Sequence, residues 1–406
     1  MKMKRFLSCL FALLTVLPLA ACGDPVPQAD PPKEYYGELT GRQLYDGEYV
    51  KWQGRNYFDE ENQSVWFNLS AAGFEVEFEG TELTAELMGE WQNEVVGQGV
   101  QYPYIGVLID DETDPRAARR EEIYMREATE YVLASNLAPG KHTVKVYKLS
   151  ETSSNKLALV SLKTDGKILD APAPAPLCIE FYGDSATCGY GIDYTDQTSF
   201  STDTENAILT YAYLTARMLG ADFSMICASG WGMAHGLGDD SAVPDWFEYA
   251  DIRSQEQWDN AAHTPDIVVI NLGANDNQYI LGNVSGPVDA AEREVRLQNY
   301  LDAYRSFIKK LLSVYGRETP VFCCYGTMGE SNIYIPLENM IYDDFQDSGY
   351  PNVYPVKLSD GFGNGTPALH GHPNVKSNIK SADILVKNIV DYTEYAVQTE
   401  NIRTED

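Results

Sequence analysis

The chain has 406 residues, 44% of them apolar and 12% aromatic, enough to fill two domains or one large one and too apolar for a disordered segment. Its formal net charge of -30 excludes ordinary electrostatic binding to nucleic acid, because nothing in such a chain replaces the counterions of a phosphate backbone. Neutral partners suit it better than anionic ones.

At the start, Lys2, Lys4 and Arg5 precede the apolar run "FLSCLFALLTVLPLA", and Leu19-Ala20-Ala21 leads to Cys22. This order of basic, apolar and small residues reads as a secretory leader over residues 1–21. Its closing cysteine resembles a bacterial lipoprotein signal, which implies cleavage before Cys22, a lipid anchor there and an extracytoplasmic location on the cell envelope. "CGDPVPQADPPKEYYG" then reads as a Pro-rich tether over residues 22–38. The later cysteines, Cys178, Cys188, Cys227, Cys323 and Cys324, show no CxxC spacing and mostly fall in or beside apolar runs. They read as small buried hydrophobes and not as a metal cluster or disulfide framework.

Over residues 39–165 the pattern has period two, as in "FEVEFEGTELTAEL", where Phe74, Val76 and Phe78 alternate with Glu75, Glu77 and Glu79. With "YIGVLID", "EYVLA", "HTVKVYK" and "LALVSLKT", this predicts an antiparallel β-sandwich. The alternating prolines of "KTDGKILDAPAPAPL" predict a linker over 166–177. From residue 178 to 396, short apolar strands ("CIEFYG", "DFSMICAS", "DIVVINLG", "PVFCCYG") alternate with helical patterns ("NAILTYAYLTARML", "EREVRLQNYLDAYRSFIKKLLSVYG", "SADILVKNIVDYTEYAV"). That alternation predicts an α/β domain with a parallel sheet covered on both faces, followed by a polar tail over 397–406.

Ligands of such sheets bind beyond the carboxyl ends of the strands, which directs the search to four loops: "GDSATCGYG", "ASGWGM", "GANDNQ" and "HGHPNV". Ser185 in the first is either a nucleophile or a turn residue. Gly230 can offer a backbone N–H, and Asn275 a side-chain amide, to a developing oxyanion; alone, each also reads as an ordinary loop residue. Of the five histidines, His142 falls in a sandwich strand, His263 precedes a strand at its amino end, and His235 follows the "SGWG" turn. His370 and His372 share a late loop ahead of the last helix, where a base can reach across the top of the sheet. Ser185 lacks the Gly-x-Ser-x-Gly elbow of a conventional α/β-hydrolase.

These four blocks, in this order, resemble the SGNH hydrolase superfamily over residues 177 to about 396. The resemblance implies Ser185 as nucleophile, His372 as base, and an oxyanion hole of Ser185, Gly230 and Asn275. "HTVKVYK", "DGKILDAP", "IEFYGDSATCGYG" and "TPDIVVINLGANDNQ" narrow it to carbohydrate esterase family 2, in which a jelly-roll-like sandwich precedes a three-layer SGNH domain. That implies an esterase removing acetyl groups from plant cell-wall sugars, with no metal or cofactor and with the membrane met only through the anchor at Cys22. A glycan-binding lipoprotein with little catalysis and a sugar O-acetyltransferase are the alternatives. His370 and Leu369 stand where many SGNH hydrolases have an aspartate before the histidine, so a main-chain carbonyl is the expected orienter of His372, with Asp360 the other candidate. Trp231 is a candidate to stack on a sugar face or to wall the pocket, and Trp246, Phe247 and Tyr249 fit a rim or a core equally.

Overall fold

The computed structural model describes residues 33–92, 99–195, 199–251 and 255–398. The leader, Cys22, most of the tether and residues 399–406 of the tail lie outside the described residues.

Two antiparallel sheets form the amino-terminal part. One runs Glu34–Tyr35, Lys167–Leu169, Gly73–Gly80, Gly140–Lys148, Tyr104–Ile109 and Arg119–Glu122, with Lys51–Gln53 also on Gly73–Gly80; the other runs Thr129–Ala134, Leu83–Trp91, Asn155–Thr164, Ser64–Trp66 and Tyr57–Asp59, with Glu38–Thr40 on Asn155–Thr164. "FEVEFEGTELTAEL" spans two of these strands, Gly73–Gly80 and Leu83–Trp91, and each of the other alternating segments falls on one. Phe74, Val76 and Phe78 are fully buried among Leu83, Leu87, Leu157 and Leu159, while the glutamates between them face outward, as a pleat of period two requires.

The sandwich exceeds its expected bounds at both ends. Glu34–Tyr35, inside the expected tether, pairs with Lys167–Leu169, inside the expected linker, and the latter pairs with Gly73–Gly80. Asp165 causes this turn: its carboxylate accepts the Thr81 N–H at 2.8 Å and the Thr81 hydroxyl at 2.5 Å. Three residues between a turn and a proline run carry too little alternation to register as a strand.

The carboxyl-terminal part is built on a parallel sheet in the order Asp222–Cys227, Cys178–Gly183, Ile267–Asn271, Val321–Tyr325, Val353–Lys357. Neighbours in each strand point to opposite faces. Tyr182, Ile270 and Cys323 pack under the helices Ala290–Tyr315 and Tyr334–Ile341, whereas Phe181, Val269 and Cys324 pack under Tyr211–Leu219 and Val375–Tyr392. Both faces are therefore covered, and the strands read as mostly apolar runs, interrupted at Glu180 and Ser224. The fifth strand, "VYPVK", was hidden by Pro355, which lacks a ladder donor; the strand sits at the sheet edge, where that loss is tolerated.

The two halves interlock through buried polar groups. Arg55 of the sandwich, 1% exposed, enters the α/β part and donates to the carbonyls of Trp246, Phe247 and Tyr249 and to Glu180, Tyr182 and Asn260. Asn68 and Thr152 both donate to the buried Asp251.

Candidate active site

The chain order of the sheet reverses between its first and third strands, and a crevice forms at such a switch point. Gly183 registers with Cys227 on one side and with Asn271 on the other. Ser185, Gly230 and Asn275 follow these three ends by two, three and four residues, so they share one rim.

Ser185 opens a short helix, Ser185–Cys188, capped by Asp184, whose carboxylate accepts the Ala186 N–H at 3.0 Å. Burial pushes the Asp184 carboxyl up to about 7, against the pull of that N–H. It serves the turn. After the helix the chain passes through Gly191, whose φ is +60°. A Cβ there would lie 2.5 Å from Leu369 Cβ, so only glycine lets this loop touch the loop that carries His372.

Within that second loop, His370 takes the left-handed conformation (φ 55°), which reverses the chain and turns the Leu369 carbonyl back toward His372. Nδ1 of His372 lies 2.8 Å from that carbonyl oxygen, and Nε2 lies 2.8 Å from Ser185 Oγ. A carbonyl only accepts, so Nδ1 carries the proton and Nε2 presents its lone pair to the serine hydroxyl. Asp360 instead accepts the Phe362 N–H at 2.8 Å and caps the turn Gly361–Gly363. The orienter of the ring is thus the main chain.

Burial lowers the His372 pKa to about 4, the Leu369 hydrogen bond raising it only in part. A lowered pKa keeps the imidazole neutral, and hence basic, as the pH falls. The acid limb of kcat/KM on an uncharged ester is therefore expected near about pH 4, below the roughly 6.5 of a free imidazole. A pH-rate profile whose half-fall lies at or above pH 6.5 contradicts this.

Gly230 has φ +81°, a conformation that costs other residues roughly 1–2 kcal/mol, and its N–H follows the turn at the strand end. Asn275, 8% exposed, stands in the first turn of the helix Ala274–Leu281 and donates from Nδ2 to the Trp231 carbonyl at 2.7 Å. That bond fixes the amide orientation and leaves the second Nδ2 hydrogen for an oxyanion. Asp276, fully buried beside it, accepts the N–H groups of Met233, Ala234 and His235 and pins the Gly230 loop from below. In the sequence it was only the acid of "GANDNQ".

Trp231 is half-buried, its ring edge-on to Trp246 at 4.5 Å, so one side of it rests on the core. Trp246 and Phe247 are 2% and 1% exposed; they form core beneath the site and not a rim. His235 stacks on Tyr279 at 3.5 Å and faces Gly236 and Asp240, His142 contacts Asp110, and His263 packs on Trp258. None of these three is brought to Ser185. Tyr190 is: its ring lies 4.4 Å from that of His372, stacks on Phe200 at 4.3 Å, and its hydroxyl is 3.1 Å from His370 Nδ1. Only its place in "CGYG" pointed to it. Among the described residues the cysteines are all free, and all but Cys178 are buried.

The model "Carbohydrate esterase 2 N-terminal" matches residues 52–172, and the model "GDSL-like Lipase/Acylhydrolase family" matches residues 181–348. The chain is 27% identical over 350 residues to the cellulase/esterase CelE of Acetivibrio thermocellus, a match covering 84% of this chain and 39% of that protein. It therefore spans well under half the length of CelE. It is 29% identical over 269 residues to an acetylxylan esterase / glucomannan deacetylase of Cellvibrio japonicus, covering 62% of this chain and 67% of that protein. A family two carbohydrate esterase from Clostridium thermocellum, solved in complex with cellohexaose, superposes with a TM-score of 0.72 at 26% identity, covering 84% of this chain and 98% of that one.

Proposed function

Because the chain belongs to carbohydrate esterase family 2, we propose that it is a serine esterase that removes O-acetyl groups from neutral plant cell-wall glycans of the xylan or glucomannan type. The observation that carries this reading is the 2.8 Å contact between Ser185 Oγ and His372 Nε2 at the carboxyl rim of the sheet. The names of the relatives support the substrate class, and the acidic chain suits a neutral polymer better than an anionic one.

In the proposed reaction, Ser185 Oγ attacks the acetyl carbonyl as its proton passes to His372 Nε2. Nδ1–H stays on the Leu369 carbonyl, whose dipole steadies the imidazolium in place of a carboxylate. The negative charge on the tetrahedral oxygen is held by the N–H groups of Ser185 and Gly230 and the free Nδ2 hydrogen of Asn275, each donor contributing about 3 kcal/mol. The sugar hydroxyl leaves with the proton from Nε2. Water, deprotonated by the same nitrogen, then releases acetate from Ser185. Half-buried Trp231 forms one wall for the sugar.

We place the protein on the bacterial cell envelope, tethered through a lipid on Cys22, a reading supported by the order of the first 22 residues. The test is acetate release from acetylated xylan, acetylated glucomannan and an aryl acetate, using purified protein and cell fractions. Turnover of all three, concentrated in the membrane fraction, is expected. Failure to release acetate from any of them overturns the esterase reading, and activity confined to the medium overturns the anchor.

A further inference from the structure

The turn that presents Gly230 is held from outside its own domain. Glu151 belongs to the sandwich, in the turn after the strand Gly140–Lys148, and its side chain is 2% exposed. Its Oε2 accepts the N–H of Ser229, the residue before Gly230, at 2.7 Å, and the Sγ of Cys188, the last residue of the Ser185 helix, lies 3.8 Å from the same oxygen. One carboxylate oxygen thus spans the two segments that supply the backbone donors of the oxyanion hole.

Glu151 is itself fixed. Its backbone N–H donates to Glu205 Oε2 at 2.9 Å, and the neighbouring Leu149 carbonyl accepts the Ala207 N–H at 3.0 Å. Lys148, fully buried, donates to the Ser150 carbonyl at 2.6 Å. Burial, with Glu151 adding to it, holds Glu205 well above the usual carboxylate range, and Lys148 pulls the other way. A hydrogen bond to a carboxylate is shorter and stronger than one to a neutral acceptor.

We propose that Glu151 is a positioning residue that sets the direction of the Gly230 N–H through its bond to Ser229, making the sandwich part of the catalytic apparatus. This rests on the esterase reading above. Loss of the bond frees the Ala228–Ser229 peptide and, through Ser229, lets the next peptide, which carries the Gly230 N–H, turn away; an oxyanion donor moved off its target loses its contribution to kcat while leaving the ground-state acetyl bound much as before.

The experiment measures kcat and KM on an aryl acetate, per site titrated with a serine-reactive phosphonate, together with melting temperature and bound metal. Glu151→Ala is expected to lower kcat about 10- to 100-fold with KM changed less than about threefold. Glu151→Gln, which keeps an acceptor oxygen at the same reach, is expected to restore kcat to within about fivefold of the parent. Should the alanine variant not fold, Glu151→Asp withdraws the carboxylate by one methylene and makes the same comparison. An unchanged kcat per titrated site with only a lower melting temperature overturns the proposal, as does a glutamine variant as slow as the alanine one. Glu151, Cys188 and Glu205 also place ligand atoms within 4.8 Å of one another, so a stoichiometric metal ion in the purified parent, lost in Glu151→Ala, overturns it as well. Turnover by Ser185→Ala would remove the esterase reading itself, separately from these outcomes.

Discussion

Replacing Ser185 with alanine is expected to lower kcat on an aryl acetate by a factor on the order of 10⁴ or more, about 5 kcal/mol of barrier, while the fold remains. The oxygen removed forms the new bond to the acetyl carbon, and the covalent route is lost with it. The change is small elsewhere. Asp184 still caps the helix through the Ala186 N–H, and the lost hydrogen bond to His372 contributes only about 1 kcal/mol to stability. Circular dichroism should therefore match the parent, and the melting temperature should fall by no more than about 2–4 °C. His372→Ala should cost nearly as much, and the double variant little more than either, because base and nucleophile act in one step and their effects do not add. Retention of more than about a tenth of parental kcat by Ser185→Ala contradicts the assignment. The contribution of the oxyanion hole is read separately from Asn275→Ala, which keeps the nucleophile and loses one donor.

The residues that meet at the rim were legible for a common reason. Ser185, Gly230, Asn275 and His372 each follow a strand or precede a helix in a short run of small and polar residues, and the wound order of an α/β sheet brings such runs to one edge. What holds them was not legible, because it is carried by atoms with no distinctive letter. The partner of His372 Nδ1 is the carbonyl of Leu369, an atom every residue has. It reaches the ring because His370 adopts a left-handed turn, which histidine sequence patterns do not announce. Glu151 and Arg55 were equally silent. In the chain they are one acid and one base among many in a sandwich whose pattern speaks only of inside and outside, and their partners lie 78 and 125 residues away, at Ser229 and Glu180. The aromatic loop around Trp246 shows the converse. Its composition fitted a glycan-facing rim and a core equally, and the packing of Phe247 against Tyr182 and Phe307 places Trp246 and Phe247 in the core.

The largest effect on stability is expected at Arg55. Its guanidinium is 1% exposed; Nη1 faces three carbonyls at 2.7–3.2 Å and Nη2 faces Glu180, Tyr182 and Asn260 at 3.0–3.3 Å. Burial works against its charge, but Glu180, with Tyr182 and Tyr315, outweighs that and holds the pKa above its ordinary value. Glu180, 3% exposed, also accepts the Tyr315 hydroxyl at 2.6 Å, so the cluster joins the sandwich loop between Lys51–Gln53 and Tyr57–Asp59, the strand Cys178–Gly183 and the helix Ala290–Tyr315. Arg55→Ala leaves a carboxylate and several carbonyls buried without their donor, and is expected to lower the unfolding free energy by about 3–5 kcal/mol. Arg55→Lys keeps a charge but not the planar fork that serves both sets of acceptors, and should recover only part of the loss. Removing the Glu180 carboxylate as well, in Arg55→Ala/Glu180→Ala, should cost less than the two single losses added, since the second change removes a charge that the first had stranded. Urea unfolding curves with matched slopes measure the parent, Arg55→Ala, Arg55→Lys, Glu180→Ala and the double variant. A loss under about 1 kcal/mol for Arg55→Ala would mean that the cluster does not join the two halves. The parent should unfold in one transition followed by fluorescence, because the buried cluster makes separate melting of sandwich and α/β layer expose the same stranded charges that the variant exposes.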